Sequence, residues 1–331
     1  AALLPLAIPL LLLSADLRAV LGATRSLLVA FACGSVGTVA GTLVAYAAVP
    51  LRALGEDAWR VAAALAARHV GGAVNYVAVA EALEVSPSVV ASGLAADNLL
   101  CALYFSTLFW LARDLPPDAD GEGEGGKDKV KRGAEQGDGD GDGDAVGESG
   151  VKRADINVVH GATSLALSAV LCWGGVALSR AAGAPQFALV AITALAVALA
   201  TAFPRQLAPL VPSAEGLSTI IMQVFFAAIG AAAGSVAAVL TSAPALFAFC
   251  FVQMAVHLLL ALGLGKLLGL RKRDVLLASN ANVGGPTTAA GFAAAKGWRS
   301  SLVPGILVGV LGYATATFGA IALGRGVLAF M

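Results

Sequence analysis

Two short stretches hold most of the chemistry this sequence offers. Residues 69–76 read His-Val-Gly-Gly-Ala-Val-Asn-Tyr, and residues 282–289 read Asn-Val-Gly-Gly-Pro-Thr-Thr-Ala. Each sets a glycine pair in the middle of a long apolar run. In a bilayer such a break frees backbone groups, which is tolerated only where they are buried in protein or line a polar cavity. Two interrupted segments at matching places in two halves point to a transporter binding site. Freed N–H groups at a helix start attract anions, and freed carbonyls can coordinate a cation. Asn75 aligns with Thr288, and Asn280, Asn282 and Thr287 flank the second break. With Gly71, Gly72, Gly284 and Gly285 they form the expected substrate site. They suit a ligand that carries a carboxylate and hydrogen-bonding groups. The competing reading is plain interhelical hydrogen bonding, which the same side chains also do.

Only two acids, Glu81 and Asp97, lie deep within apolar runs. A charge there costs about 2.5–3.5 kcal/mol on insertion scales, so it faces a cavity or a partner. Asp97-Asn98 sets a carboxylate beside a carboxamide, which supplies oxygens for Na⁺ or a titratable group for H⁺. Asp97, Asn98 and Glu81 are therefore the expected ion site. Two alternatives stay open: a structural pair of Asp97 with Arg68, and a Glu81 that reaches the surface along its helix. On the functional reading, Asp97→Asn abolishes ion coupling and leaves the fold intact. Arg68, beside His69 at the first break, either holds an anionic substrate or neutralises Asp97. His160 and His257 stand alone in apolar runs and read as satisfied core histidines. Cys33, Cys101, Cys172 and Cys250 read as small buried apolar residues. No CxxC, HExxH or GxxxxGK[ST] occurs. The sequence therefore suggests no metal site, no cofactor beyond a coupling Na⁺ or H⁺, and no ATP-driven transport. No nucleophile–base pair points to an enzyme.

The elements that must position these residues are membrane helices. Of 331 residues 58% are hydrophobic and 13% charged, against about 25% charged in a soluble domain. The fold class is all-α, a polytopic transmembrane bundle whose partner is the lipid bilayer. A formal net charge of zero gives no case for nucleic acid. Runs of roughly 20 apolar residues fall at 1–13, 24–49, 56–83, 88–112, 157–180, 186–203, 217–240, 244–268, 274–296 and 302–324, with 56–83 and 274–296 interrupted. Pro50, Pro87, Pro185, Pro204 and Pro244 punctuate the junctions. Spacings at Gly37/Gly41, Gly230/Gly234 and Gly305/Gly309 predict close helix packing.

Residues 113–156 form a linker rich in Gly, Asp, Glu and Lys that cannot bury a core and is expected to be disordered. Asp138, Asp140 and Asp142 fit the first ligand positions of a calcium loop. Ser149 stands at the twelfth, where a Glu belongs, and flanking amphipathic helices are missing, so calcium is not expected. The linker divides two repeats, 1–112 and 157–331. Aligned on the glycine pairs with a one-residue gap, Gly93 falls on Gly305; upstream, Ala19-Val20-Leu21 falls on Ala238-Val239-Leu240. The second repeat has two further spans, so up to two more helices are expected before residue 1. If the interrupted segments cross the membrane the repeats are parallel; if they re-enter, the repeats are inverted, the commoner plan. Setting Arg68 aside, the other twenty Lys and Arg divide 15 to 5 between the faces if they cross and 16 to 4 if they re-enter. Both respect the positive-inside rule.

The run Ala278-Ser279-Asn280-Ala281-Asn282-Val283-Gly284-Gly285-Pro286-Thr287-Thr288-Ala289, then Ala295-Lys296-Gly297-Trp298 and Val303-Pro304-Gly305, resembles the YjcL-like family of multi-pass membrane proteins. Leu4 to Leu12 with Ala15-Asp16-Leu17-Arg18, Gly71 to Glu81, and Ala95-Ala96-Asp97-Asn98 are similar to it too. The resemblance implies membership of the broad superfamily of cation:proton antiporters and bile-acid-, glutamate- and citrate-type sodium symporters. It implies inverted repeats, a broken or re-entrant element in each, and a panel beside a moving core. Glycine-pair tips line substrate sites in the citrate- and glutamate-type branch. In the antiporter branch an acidic motif on the helix after the first broken one binds the ion, and Asp97-Asn98 stands there. The antiporters' basic residue has no counterpart, because Gly309 and Val310 occupy its place. Eukaryotic members are typically plastid proteins, which favours a plastid envelope over a bacterial-type plasma membrane.

The expected function is ion-coupled secondary transport of a small organic anion. A cation:proton antiporter or an export pore, and a non-transporting scaffold subunit, are the alternatives. A homodimer is left open.

Overall fold

The computed structural model describes residues 3–18, 25–49, 51–118, 157–232 and 244–331. Among them the regular structure is helical: α1 (Leu3–Leu12), α2 (Arg25–Ala48), α3 (Asp57–Ala82), α4 (Pro87–Leu111), α5 (Val158–Ala181), α6 (Ala188–Ala202), α7 (Val211–Ala232), α8 (Pro244–Leu267), α9 (Lys272–Gly284), α10 (Pro286–Ala295) and α11 (Arg299–Gly326). Pro87, Pro244 and Pro286 open their helices, where a missing N–H costs nothing. Asn157 caps α5 by accepting from the Val159 and His160 amides. Among the described residues six helical stretches are long and apolar enough to cross a membrane: Arg25–Ala48, Pro87–Leu111, Val158–Ala181, Pro185–Ala202, Pro244–Leu267 and Arg299–Phe330. Their outer faces carry exposed Trp110, Val170, Trp173, Phe251 and Leu259. Side chains of that size are at home against lipid. The chain is an all-α polytopic membrane protein.

The two interrupted segments are re-entrant. A straight 26-residue helix would hold its ends roughly 38 Å apart, at 1.5 Å per residue. Yet the Asp57 carboxylate, at the start of α3, accepts from the Ser86 amide just past its end, at 3.2 and 3.3 Å. The turn is at Gly71 (φ −137, ψ 17) and Gly72 (φ 77, ψ 180). In the second segment Arg273, at the start of α9, donates to Ser300 Oγ at 2.8 Å and stacks on Trp298 beyond the end of α10. Here the tip is Gly285 (φ 84, ψ −169). Gly72 and Gly285 thus share a conformation that a Cβ excludes.

The hairpins enter from opposite faces. Helix α4 begins at the mouth of the first and ends at the mouth of the second, where Trp298 Nε1 donates to the Pro116 carbonyl at 3.0 Å. Helix α11 returns, and its Gly324 lies against Ala63, Trp59 and Leu83 of the first hairpin. The match of Ala19–Leu21 to Ala238–Leu240 and the calcium-like Asp138–Ser149 lie outside the described residues.

Packing divides the helices into two groups. Helices α1, α5, α6 and α7 pack on one another, while α2, α4, α8 and α11 surround the hairpins α3 and α9/α10. Glycines set the tightest approaches. A Cβ on Gly37 would stand 2.9 Å from the His257 carbonyl, and one on Gly41 2.5 Å from that of Gln253. Their absence lets α8 lie against α2 and aims Gln253 and His257 inward.

The linker begins later than the sequence suggests. Residues 113–118 read as linker because of their prolines and charges. In the structure the Asp118 amide donates to the Gly297 carbonyl at 3.1 Å, and the Asp118 carboxylate takes hydrogen bonds from Arg273 and from the Ser300 amide. Burial raises the Asp118 pKa; the bonds from Arg273 and Ser300 outweigh it and leave the group below its usual value. With a depressed folded pKa, this contribution is present above the unfolded value and is lost as pH falls through the folded one. Asp118→Asn is thus expected to lower the melting temperature at neutral pH. It should make no difference in acid strong enough to protonate the wild-type carboxyl, as paired melting curves would show.

Candidate functional site

The first hairpin delivers Arg68 and His69 to the membrane interior just before its glycine tip, and α4 delivers Asp97 against them. Arg68 Nε donates to Asp97 Oδ2 at 2.6 Å, and Arg68 Nη1 donates to the Val283 carbonyl, also at 2.6 Å. That carbonyl is freed by the second break, since Gly285 turns the chain away and its helical partner, the Thr287 amide, belongs to α10. His69 Nε2 meets Asp97 Oδ1 at 2.8 Å, and the Cys101 thiol reaches the same oxygen at 3.3 Å. Asp97 and His69 are fully buried, and Arg68 nearly so. Arg68 therefore ties the acid of α4 to the tip of the opposite hairpin.

A second layer holds this cluster. His69 Nδ1 contacts Gln253 Oε1 at 2.9 Å; Gln253 Nε2 donates to Thr42 Oγ1 at 2.7 Å; and Thr42 donates to the Thr38 carbonyl at 2.8 Å. Thr38 Oγ1 donates at 2.9 Å to the His69 carbonyl, which is freed by the first break. His257 bridges Thr38 Oγ1 (2.8 Å) and Ser279 Oγ (2.9 Å), and Tyr104 closes on Ser279. His257 is thus a core histidine satisfied on both nitrogens.

The tips meet at the centre. A Cβ on Gly72 would lie 3.6 Å from the Gly284 carbonyl, and Tyr313 of α11 stands over both Gly72 and Gly285. Gly312 and Gly309 let α11 approach: their Cβ positions fall 2.4 Å from the Val70 carbonyl and 2.5 Å from the Pro286 nitrogen. Helix α10 begins without a side-chain cap, so the first-turn N–H groups of Thr287 and Thr288 present partial positive charge at the crossing. A cavity of about 10 Å³ lies beside the first tip, where Asn75, Tyr313 and Thr317 face Leu12 of α1 and Thr193 of α6. An open groove of about 510 Å³ runs along the surface between α2, the first arm of α3 and α11, and reaches Ser35, Val70 and Thr315.

The expected residues divide. Asp97, Gly71, Gly72, Asn75, Asn280, Asn282 and Gly285 are buried, and Gly284 partly so. Asn75 is committed: Nδ2 bonds the Gly71 carbonyl and Oδ1 accepts from Thr317 at 2.6 Å. Thr288 bonds back to the Gly285 carbonyl at 3.1 Å. Both brace their tips. Asn282 Nδ2 donates to Ser35 Oγ at 3.0 Å, and the Oδ1 atoms of Asn280 and Asn282 are buried without a partner. Thr287, Asn98 and Glu81 are exposed. Asn98 follows Asp97 in sequence, but a helix turns about 100° per residue, so it faces outward. Glu81 lies near the mouth of the first hairpin, one residue from the end of α3. The structure brings neither to Asp97.

The sequence reading did not assign Thr38, Thr42, Cys101, Tyr104, Gln253 or Ser279 to this site. A signal was there. Thr38/Thr42, Gln253/His257 and Asp97/Cys101/Tyr104 recur at i, i+4 or i+7 on otherwise apolar helices, so each set lies on one face.

The donor atoms of His69, Asp97 and Cys101 lie within 4.8 Å of one another, spacing that would suit a metal ion. The Arg68 guanidinium on the same carboxylate opposes it. The arrangement is better fitted to hold a proton and attract an anion.

Fold and site together define a polytopic membrane protein with two opposed, glycine-tipped re-entrant hairpins closing on a buried Arg–Asp–His cluster. The chain belongs to the DUF819 family, described as "Protein of unknown function", whose model matches residues 1–330. It is 33% identical over 334 residues to "Uncharacterized membrane protein YjcL" of Bacillus subtilis (strain 168), covering 93% of this chain and 78% of the relative. No solved structure matches.

Proposed function

We propose that the protein is a secondary transporter that moves a small organic anion by alternating access, coupled to an ion. The observation that supports this most is the crossing. An uncapped helix start at the second tip and the helix start after Gly72 meet there, and the Arg68 guanidinium, already paired with Asp97, bonds the Val283 carbonyl beside the second tip. The freed carbonyls, which would repel an anion, are already bonded: Val283 by Arg68, His69 by Thr38 and Gly71 by Asn75. An anion arriving there meets donors. The Arg68–His69–Asp97 cluster and both glycine tips come from one helix group, which suits movement of that group past the other.

The carboxylate of Asp97 already takes bonds from Arg68 and His69, so a Na⁺ at this oxygen would have to displace a guanidinium. A plastid envelope remains the proposed membrane, on the alanine-rich spans and the family resemblance. A fluorescent fusion in a plastid-bearing cell tests that.

A ligand that binds only the folded state raises its melting temperature, by about 2.7 kcal/mol of stabilisation at a hundredfold excess over Kd. The purified protein is therefore expected to be stabilised by one or more carboxylates from a panel, with the shift depending on pH. Equal melting curves across every carboxylate and pH would remove the transport reading.

A further inference from the structure

The hydrogen-bond network around His69 admits two arrangements of protons. In the first, Thr42 Oγ1 donates to the Thr38 carbonyl and accepts from Gln253 Nε2. Gln253 then turns Oε1 to His69 Nδ1, which in this arrangement carries hydrogen. The other ring nitrogen faces Asp97 Oδ1 at 2.8 Å. Two bare acceptors do not sit at that distance, so one more proton lies between them. Arg68, His69 and Asp97 together then carry a net charge of +1.

A second register is available without moving the backbone. If Gln253 turns its amide over and Thr42 swings its hydroxyl, the amide nitrogen donates to a bare Nδ1. His69 then donates from Nε2 to an ionised Asp97. Every group stays satisfied, and the cluster is neutral. The carbonyl that Thr42 leaves keeps its backbone partner in α2. Two complete registers differing by one proton are what a proton-binding site requires.

We infer that the His69–Asp97 contact, read out by Gln253, is a one-proton site that makes anion movement electroneutral and selects substrates of net charge −1. This rests on the anion-transport reading above. The empty carrier without the proton carries no net charge in its core. The carrier with one proton and one monoanion also carries none. Either passenger alone leaves an unbalanced charge in the membrane interior, which lowers the frequency of such transits on the order of a hundredfold. A dianion would need a second proton. The other titratable groups within electrostatic reach are Tyr76 of α3, Cys101 and Tyr104 of α4, Cys250 and His257 of α8 and Tyr313 of α11. Among them only His257 can carry charge near neutral pH, and both of its ring nitrogens are already bonded.

Two readouts test this on the full-length protein in liposomes. The first is solid-state NMR of ¹⁵N-histidine, with His69 assigned through its correlation to Arg68, so that no variant need fold. The expected result is two populated states of the His69 ring, one doubly protonated and one protonated at Nε2 alone. A ring that stays in one state over the whole pH range of the folded protein overturns the inference. The second is uptake of pyruvate and glutamate (net −1) against succinate (net −2), with a pH dye inside and current recorded. Uptake of a monoanion should acidify the lumen by one proton per molecule without current, and succinate uptake should be at least tenfold slower. Monoanion uptake with current, or without acidification, overturns the coupling. A titrating His69 with no carboxylate uptake at all would support the proton site and sink the transport reading instead.

Discussion

Asp97→Ala is expected to destabilise the protein by about 3–5 kcal/mol, the usual cost of stripping a buried charge of its partner, and to abolish transport. Arg68 would keep only the Val283 carbonyl and a 3.5 Å contact with the Cys101 sulfur, and His69 would lose its partner at Nε2. Asp97→Asn behaves differently. The carboxamide keeps an acceptor for Arg68, and the cluster then carries the +1 of its proton-loaded form permanently. The fold should survive while coupling is lost. The double variant Arg68→Gln/Asp97→Asn removes both charges and should recover most of the stability lost in Asp97→Ala, without transport. Thermal melts beside uptake assays separate these outcomes. If Asp97→Ala proves as stable as wild type, the ion pair is not the anchor described here.

Gly285→Val carries the second large effect. The residue sits at φ 84, ψ −169, and its Cβ position falls 2.7 Å from the Tyr313 ring. Backbone strain of about 1–3 kcal/mol adds to a similar overpacking cost. The tip would have to open, and Arg68 would lose the Val283 carbonyl. Loss of uptake and a melting point well below wild type are expected. Tyr313→Ala removes the clashing ring and should return part of the stability to Gly285→Val, though none of the strain. No change in melting temperature for the single variant would mean that the tip does not pack as described.

The glycine pairs were legible because only glycine adopts the dihedral angles that turn a helix back on itself inside a membrane. Asp97 was legible because an acid in hydrocarbon is costly enough to need a reason, and its alternative partner, Arg68, was already named. Re-entry over crossing was not legible, since Lys and Arg respect the positive-inside rule either way. It took the contact of Asp57 with Ser86, and of Arg273 with Ser300, to decide it. The outer network escaped for another reason. Thr42, Gln253 and Ser279 each pass for an ordinary interhelical bond, and the partners of His69 lie far off in sequence. Asn98 was assigned because it adjoins Asp97 in sequence, which a helix does not keep on one face; Glu81 was assigned as an acid inside an apolar run, but its helix ends one residue later, at the mouth of the first hairpin. Residues 113–118 read as linker because Arg273 and Trp298, which hold them, come only after the whole linker and helices α5–α8.

The central claim is that the crossing of the two hairpins is an anion site opened alternately to each face. The most direct measurement is initial-rate uptake of a panel of radiolabelled carboxylates into liposomes carrying the full-length protein, over a range of concentrations, beside Gly285→Val as the inactive control. The account predicts saturable uptake of at least one carboxylate, absent from the control and dependent on the pH difference across the membrane. Uptake that rises linearly with concentration would mean a pore, and uptake equal in the control would place the pathway somewhere other than the glycine tips.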